Sequence, residues 1–94
     1  MFKLFFRKKA FKILKAIERK HQLRINSALN ELKKGQFDKY NIEKIKGTDK
    51  GYRLRIGRWR ILFILISREK RIEIVDIFLK KGKGDYFKKK KLIR

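Results

Sequence analysis

Arg53, Arg55 and Arg60 are the residues of this chain best placed to do chemistry. They lie in the segment Gly51-Tyr-Arg-Leu-Arg-Ile-Gly-Arg-Trp-Arg-Ile-Leu-Phe63, which alternates basic and apolar side chains. That alternation is the period of a half-buried β-strand. Gly57-Arg58 suits a two-residue type II′ hairpin turn. Position 56 then faces 59, 55 faces 60, 54 faces 61, 53 faces 62 and 52 faces 63. One face carries Tyr52, Leu54, Ile56, Trp59, Ile61 and Phe63; the other carries Arg53, Arg55, Arg60 and Leu62. Like charges opposite one another destabilise a sheet. A chain that gathers them has a polyanion to meet, and the planar guanidinium fork matches phosphate oxygens.

If the polyanion is RNA, one chemistry such a patch suits is metal-free cleavage through the substrate's own 2′-OH. The 2′-OH attacks the adjacent phosphate and the 5′-oxygen leaves. Fixed arginines stabilise the charge gathering on the phosphoryl oxygens, each donor contributing roughly 3 kcal/mol. One proton must leave the 2′-OH and another must reach the leaving oxygen. A lysine crowded by cations has its pKa lowered and can exchange protons. The chain has no cysteine, and His21 is its only imidazole. Disulfides, thiolate metal sites and histidine-based catalysis are therefore excluded, and no metal or cofactor is expected. Zero cysteines fit a reducing cytosol without proving it, and a cytoplasmic location is the expectation.

The bulk numbers agree with a polyanion partner. Thirty Lys and Arg stand against nine Asp and Glu in 94 residues, a formal charge of +21. Nucleic acid, an acidic protein and an anionic membrane all attract such a surface, the membrane being the weakest reading. No apolar run approaches the roughly 20 residues needed to span a bilayer, and no secretory signal pattern follows Met1. A hydrophobic share of 43% supports one modest core and one domain.

The elements that must position the arginines follow from periodicity. Phe2 to Phe6 reads as a first strand. Ala10, Ile13, Leu14 and Ile17, then Ile25, Ala28, Leu29 and Leu32, recur at helical spacing, and Gly35 stops the second segment. One continuous helix over residues 8–34 would be roughly 40 Å long, too long for a domain whose radius of gyration is about 12 Å. An αα-hairpin bending near Lys20 to Leu23 solves this. Residues 36–50 read as a connecting loop, anchored by Tyr40, Ile42 and Ile45. Ser67 to Lys70 is a turn, and Arg71 to Leu79 is the last strand. Its register places Val75, Ile77 and Leu79 on the core face and Asp76 beside Leu62, because an ionised carboxylate in the core is costly. A basic tail spans residues 80–94. The fold class is α+β in the order β-α-α-β-β-β: an antiparallel sheet of the last three strands, with two helices on one face and the arginines on the other.

This order, with Tyr52-Arg-Leu-Arg-Ile-Gly-Arg-Trp-Arg-Ile-Leu-Phe63, Ile74-Val-Asp-Ile-Phe-Leu-Lys-Lys81 and the later Tyr86, resembles the RelE/ParE superfamily of toxins from type II toxin–antitoxin pairs. The resemblance covers nearly the whole chain as a single domain, residues 1–94. It implies a RelE-like endoribonuclease that cuts messenger RNA in the ribosomal A site and is held in check by an acidic antitoxin. The toxin alone is then a monomer, with ribosome and mRNA as its targets. The alternatives are a ParE-like DNA gyrase inhibitor, which is not an enzyme, and an inactive basic nucleic-acid-binding domain of the same fold. Arg53, Arg55 and Arg60 match basic positions of RelE-like enzymes. Lys80 or Lys81 lies where the family often has an arginine, and Tyr86 matches a functional tyrosine. Some relatives use a histidine and a glutamate as acid and base, and no histidine lies in this region.

The resulting assignment has Arg53, Arg55 and Arg60 holding the phosphate, Lys81 or Lys83 moving protons, and Tyr86 stacking on or orienting a base. Asp76 or Asp85 holds an arginine in place. Arg58, Lys80, Lys88, Lys89, Lys90 and Lys91 bind RNA through phosphates, without reading sequence. Each role has a plainer rival: a solvated basic face or antitoxin dock for the arginines, and core packing for Tyr86. Trp59 belongs to the core, and His21 is structural.

Overall fold

The computed structural model describes residues 1–80. Strand β1 (Lys3–Phe6) leads into helices α1 (Lys8–Ala16) and α2 (Arg19–Lys33). A single 3₁₀ turn (Phe37–Lys39) precedes β2 (Asn41–Lys44), and β3 (Gly51–Ile56), β4 (Trp59–Ile66) and β5 (Arg71–Leu79) follow. The strands form one sheet in the order β1-β5-β4-β3-β2. β1 runs parallel to β5; the other neighbours are antiparallel. The α+β class and the helix pair on one sheet face stand as the sequence implies. The sheet is larger than expected, because the first strand joins it and part of the expected 36–50 loop is β2.

The helices divide earlier than residues 20–23. Ile17 and Glu18 are both extended, with ψ of 164° and 145°. No glycine or proline marks the break. The Gln22 side-chain amide donates to the Leu14 carbonyl at 2.8 Å, satisfying one of the acceptors that a helix end leaves open. The described chain extends 33 Å at most, less than a continuous helix would need. Gly35 takes φ +82° after α2, a left-handed helix stop that costs glycine little.

The core lies between the helices and one sheet face. Ala10, Leu14, Ile25, Ala28, Leu29 and Leu32 meet Leu54, Ile56, Trp59, Ile61, Phe63, Ile72, Ile74 and Ile77. Tyr40 and Ile42 pack against its edge, so they anchor a strand instead of a loop. The sequence does not reveal β2, because Ile42 and Ile45 are three residues apart and hide the alternation.

The last strand contains a correction. Leu62 pairs with Asp76 as expected, but Phe63 pairs with Ile74, leaving Val75 as a bulge. Ile72 and Ile74 are even-numbered and Ile77 is odd-numbered, so a period of two cannot bury all of them. One inserted residue can. Val75 is buried yet stands outside the helix-side core, and Leu79 is exposed. Without the bulge, Arg71 and Glu73 would point into the core.

Candidate functional site

The hairpin forms as its sequence dictates. Gly57 has φ +60° and Arg58 has no positive φ, the signature of a type II′ turn. The pairs Arg55↔Arg60 and Arg53↔Leu62 follow. The Lys50 carbonyl accepts from Leu65 N–H at 3.0 Å, and this sets the phase of the ladder. Arg55 and Arg60 therefore form a non-hydrogen-bonded pair, the kind in which side chains approach most closely. Arg53, Arg55 and Arg60 share the sheet face opposite the helices.

Their surroundings differ. Arg60 is 7% exposed, and its Nη1 donates to the Gly57 carbonyl at 2.7 Å and the Trp59 carbonyl at 2.9 Å. It braces the turn that creates the patch. Arg53 pairs across the strands with Glu43, and its Nη2 donates to the Glu43 carboxylate. The Arg53 side chain is 15% exposed and that of Glu43 is 51% exposed. Arg55 faces Asn41 on β2 and Arg60 on β4, and no described residue accepts from its Nε. Arg55 is thus the guanidinium with the least described competition for an incoming phosphate.

Asp76 is fully buried beside Leu62. Its Oδ1 accepts from Ile77 N–H at 2.9 Å, and its Oδ2 lies 3.7 Å from Lys9 Nζ on α1. Phe78 faces Arg60, completing the row Arg55–Arg60–Phe78 across the sheet. Arg58 is exposed at the turn, and its carbonyl accepts from Lys80 N–H at 2.9 Å, which holds Lys80 at the same end. Lys81, Lys83, Asp85, Tyr86, Lys88, Lys89, Lys90 and Lys91 lie outside the described residues.

Two residues at this end were not foreseen. Glu43 places a half-exposed carboxylate next to Arg53, a group able to accept a proton. The signal was its position opposite a basic residue, legible only once β2 is known to pair with β3. Arg24 on α2 sets its guanidinium against the turn: a Cβ on Gly57 would stand 3.3 Å from its Nη2. Trp59 and His21 are structural neighbours, their rings 5.5 Å apart.

No family model and no curated protein matches the chain. Solved structures do. RelE in the RelB–RelE antitoxin–toxin complex of Methanococcus jannaschii aligns over 88% of this chain and 98% of its own, at 28% identity and a TM-score of 0.72. The isolated Escherichia coli RelE toxin aligns over 100% of both chains, at 14% identity and 0.74. YoeB from Staphylococcus aureus, solved as a dimer, aligns over 87% of this chain and 98% of its own, at 19% and 0.68. The chain has the RelE-like toxin fold.

Proposed function

We propose that this chain, folded as a RelE-like toxin, is the toxin of a toxin–antitoxin pair and a metal-independent endoribonuclease acting on ribosome-bound messenger RNA. The observation that carries this reading is the convergence of Arg53, Arg55 and Arg60 on the sheet face opposite α1 and α2, with the Glu43 carboxylate beside them. The scissile phosphate lies against Arg55, with Arg53 and Arg60 on either side. Their charge stabilises the dianionic phosphorane as the 2′-oxygen bonds to phosphorus and the bond to the 5′-oxygen breaks. Glu43 accepts the 2′-OH proton. Lys81 or Lys83 returns one to the leaving oxygen, and Tyr86 orients a base. Arg58, Lys80 and the late lysines hold flanking phosphates. The partner that silences the chain is an acidic antitoxin, and both act in the cytoplasm, where ribosomes are.

A translation extract tests the reading. Added protein should leave messages cut within codons, and the Arg55→Ala protein should cut about 100-fold more slowly, the loss expected of one transition-state donor. Intact messages together with failing gyrase supercoiling would replace this reading with that of a ParE-like inhibitor.

A further inference from the structure

The end of the sheet away from the Gly57 turn holds a cavity that the arginine face does not use. Its volume is about 430 Å³, within the range of small-molecule sites. Two loops wall it. The β2–β3 loop contributes Asp49 and Lys50, the turn after β4 contributes Ser67 and Arg68, and Tyr52 and Leu65 lie between them. Both walls are held by hydrogen bonds. The Thr48 hydroxyl donates to the Ile45 carbonyl at 2.7 Å and accepts from Gly51 N–H at 3.2 Å. Lys70, at φ 52°, donates its N–H to the Ser67 carbonyl at 3.1 Å. Leu65 N–H donates to the Lys50 carbonyl at 3.0 Å, which ties the walls together at their base. A site built this way loses little freedom when a ligand enters.

The lining divides into an apolar part and a charged part. The Tyr52 ring is half-buried and stacks on Phe63, with centroids 5.7 Å apart and planes 20° from parallel. Its orientation is therefore set in advance. Leu65 is half-buried and packs against the same core. An aromatic wall beside an aliphatic one suits a planar base, because every base has a face that stacks. Lys50 and Arg68 are exposed at the rim, and no carboxylate of the described residues pairs with either. Two cations with the Ser67 hydroxyl suit a phosphate. Asp49 adds a carboxylate that accepts N–H donors. Guanine carries two such donors side by side, N1–H and the exocyclic amine.

We infer that this cavity binds a free guanine nucleotide, with the base against Tyr52 and Asp49 and the phosphate at Lys50, Ser67 and Arg68. Tyr52 and Leu65 lie on the sheet face that carries the helices, so an RNA laid across Arg53 and Arg55 runs on the other side of the sheet. The inference takes nothing from the proposed function.

The probe is guanosine 5′-monophosphate, titrated into the full chain at physiological salt, where a screening length of about 8 Å mutes the general positive charge. A single molecule should bind and shift the amide resonances of Lys50, Tyr52 and Ser67. Tyr52→Leu should weaken it about tenfold and Tyr52→Phe under about threefold, since the ring face carries the contact. Arg68→Gln should weaken it about tenfold, and this exposed position keeps the test open should Tyr52→Leu fail to fold. Lys12→Gln, an exposed cation on α1, is the charge control and should change nothing. Asp49→Asn should abolish the preference for guanosine over adenosine monophosphate. The inference is overturned if Arg68→Gln and Lys12→Gln act alike, if the two folded Tyr52 variants act alike, or if the guanine preference is absent or survives Asp49→Asn. It is also overturned if inorganic phosphate competes as well as the nucleotide, which would leave an anion site only. Single-stranded RNA that shifts the same amides and displaces the nucleotide would make the cavity part of an RNA path instead.

Discussion

At the scale of single residues, the three arginines divide into different tasks. Arg60 is buried and spends two donors on turn carbonyls. Arg60→Ala should therefore lose stability by about 1–3 kcal/mol, because buried acceptors are left unpaired, and activity falls with it. Arg55 makes no such bond among the described residues, so Arg55→Ala should leave the urea midpoint unchanged while turnover falls. Denaturation and cleavage measured on the same two proteins distinguish a brace from a phosphate ligand. Glu43→Gln keeps shape and removes the proton acceptor. The expected outcome is a loss of about 100-fold in turnover, with RNA affinity held or raised because Arg53 loses its anionic partner. Unchanged turnover would assign the base elsewhere. Asp76→Ala should cost about 2–3 kcal/mol, read by urea denaturation, since Ile77 N–H loses its buried acceptor and Lys9 its partner.

At the scale of elements, the hairpin turn and the bulge decide which side chains reach the site. Gly57 combines φ +60° with the Arg24 guanidinium just above it. Gly57→Ala should destabilise by about 1–2 kcal/mol, the cost of a left-handed L-residue, and lower the melting temperature by several degrees. The type II′ turn was legible because Gly57-Arg58 sits between alternating segments, and the arginine register followed from it. The bulge was written in the sequence too, as the switch from even-numbered Ile72 and Ile74 to odd-numbered Ile77. Asp76 fixes the phase of one half of the strand only, so the switch is not evident from that residue alone. β2 was obscured for a different reason: four mostly polar residues become a strand only because β3 offers a ladder and the core accepts Ile42.

At the scale of the whole molecule, a charge of +21 on 94 residues makes binding to RNA steeply salt-dependent. Each phosphate contact to single strands adds a slope of about −0.7 in the log–log plot of affinity against salt. Arg55→Ala should reduce that slope by about 0.7, and a slope that stays the same would mean Arg55 meets no phosphate. The sequence by itself determined the hairpin, its face of arginines, the helical stripes and the attraction to polyanions, because these depend on neighbours in the chain and on period. Only the tertiary structure decided that Glu43 stands beside Arg53, that Arg60 turns its head to the backbone, that Arg24 reaches the hairpin tip, and that β1 and β2 form the two edges of the described sheet. Those facts join residues from separate elements. Packing across the fold settles them, and no local pattern encodes it.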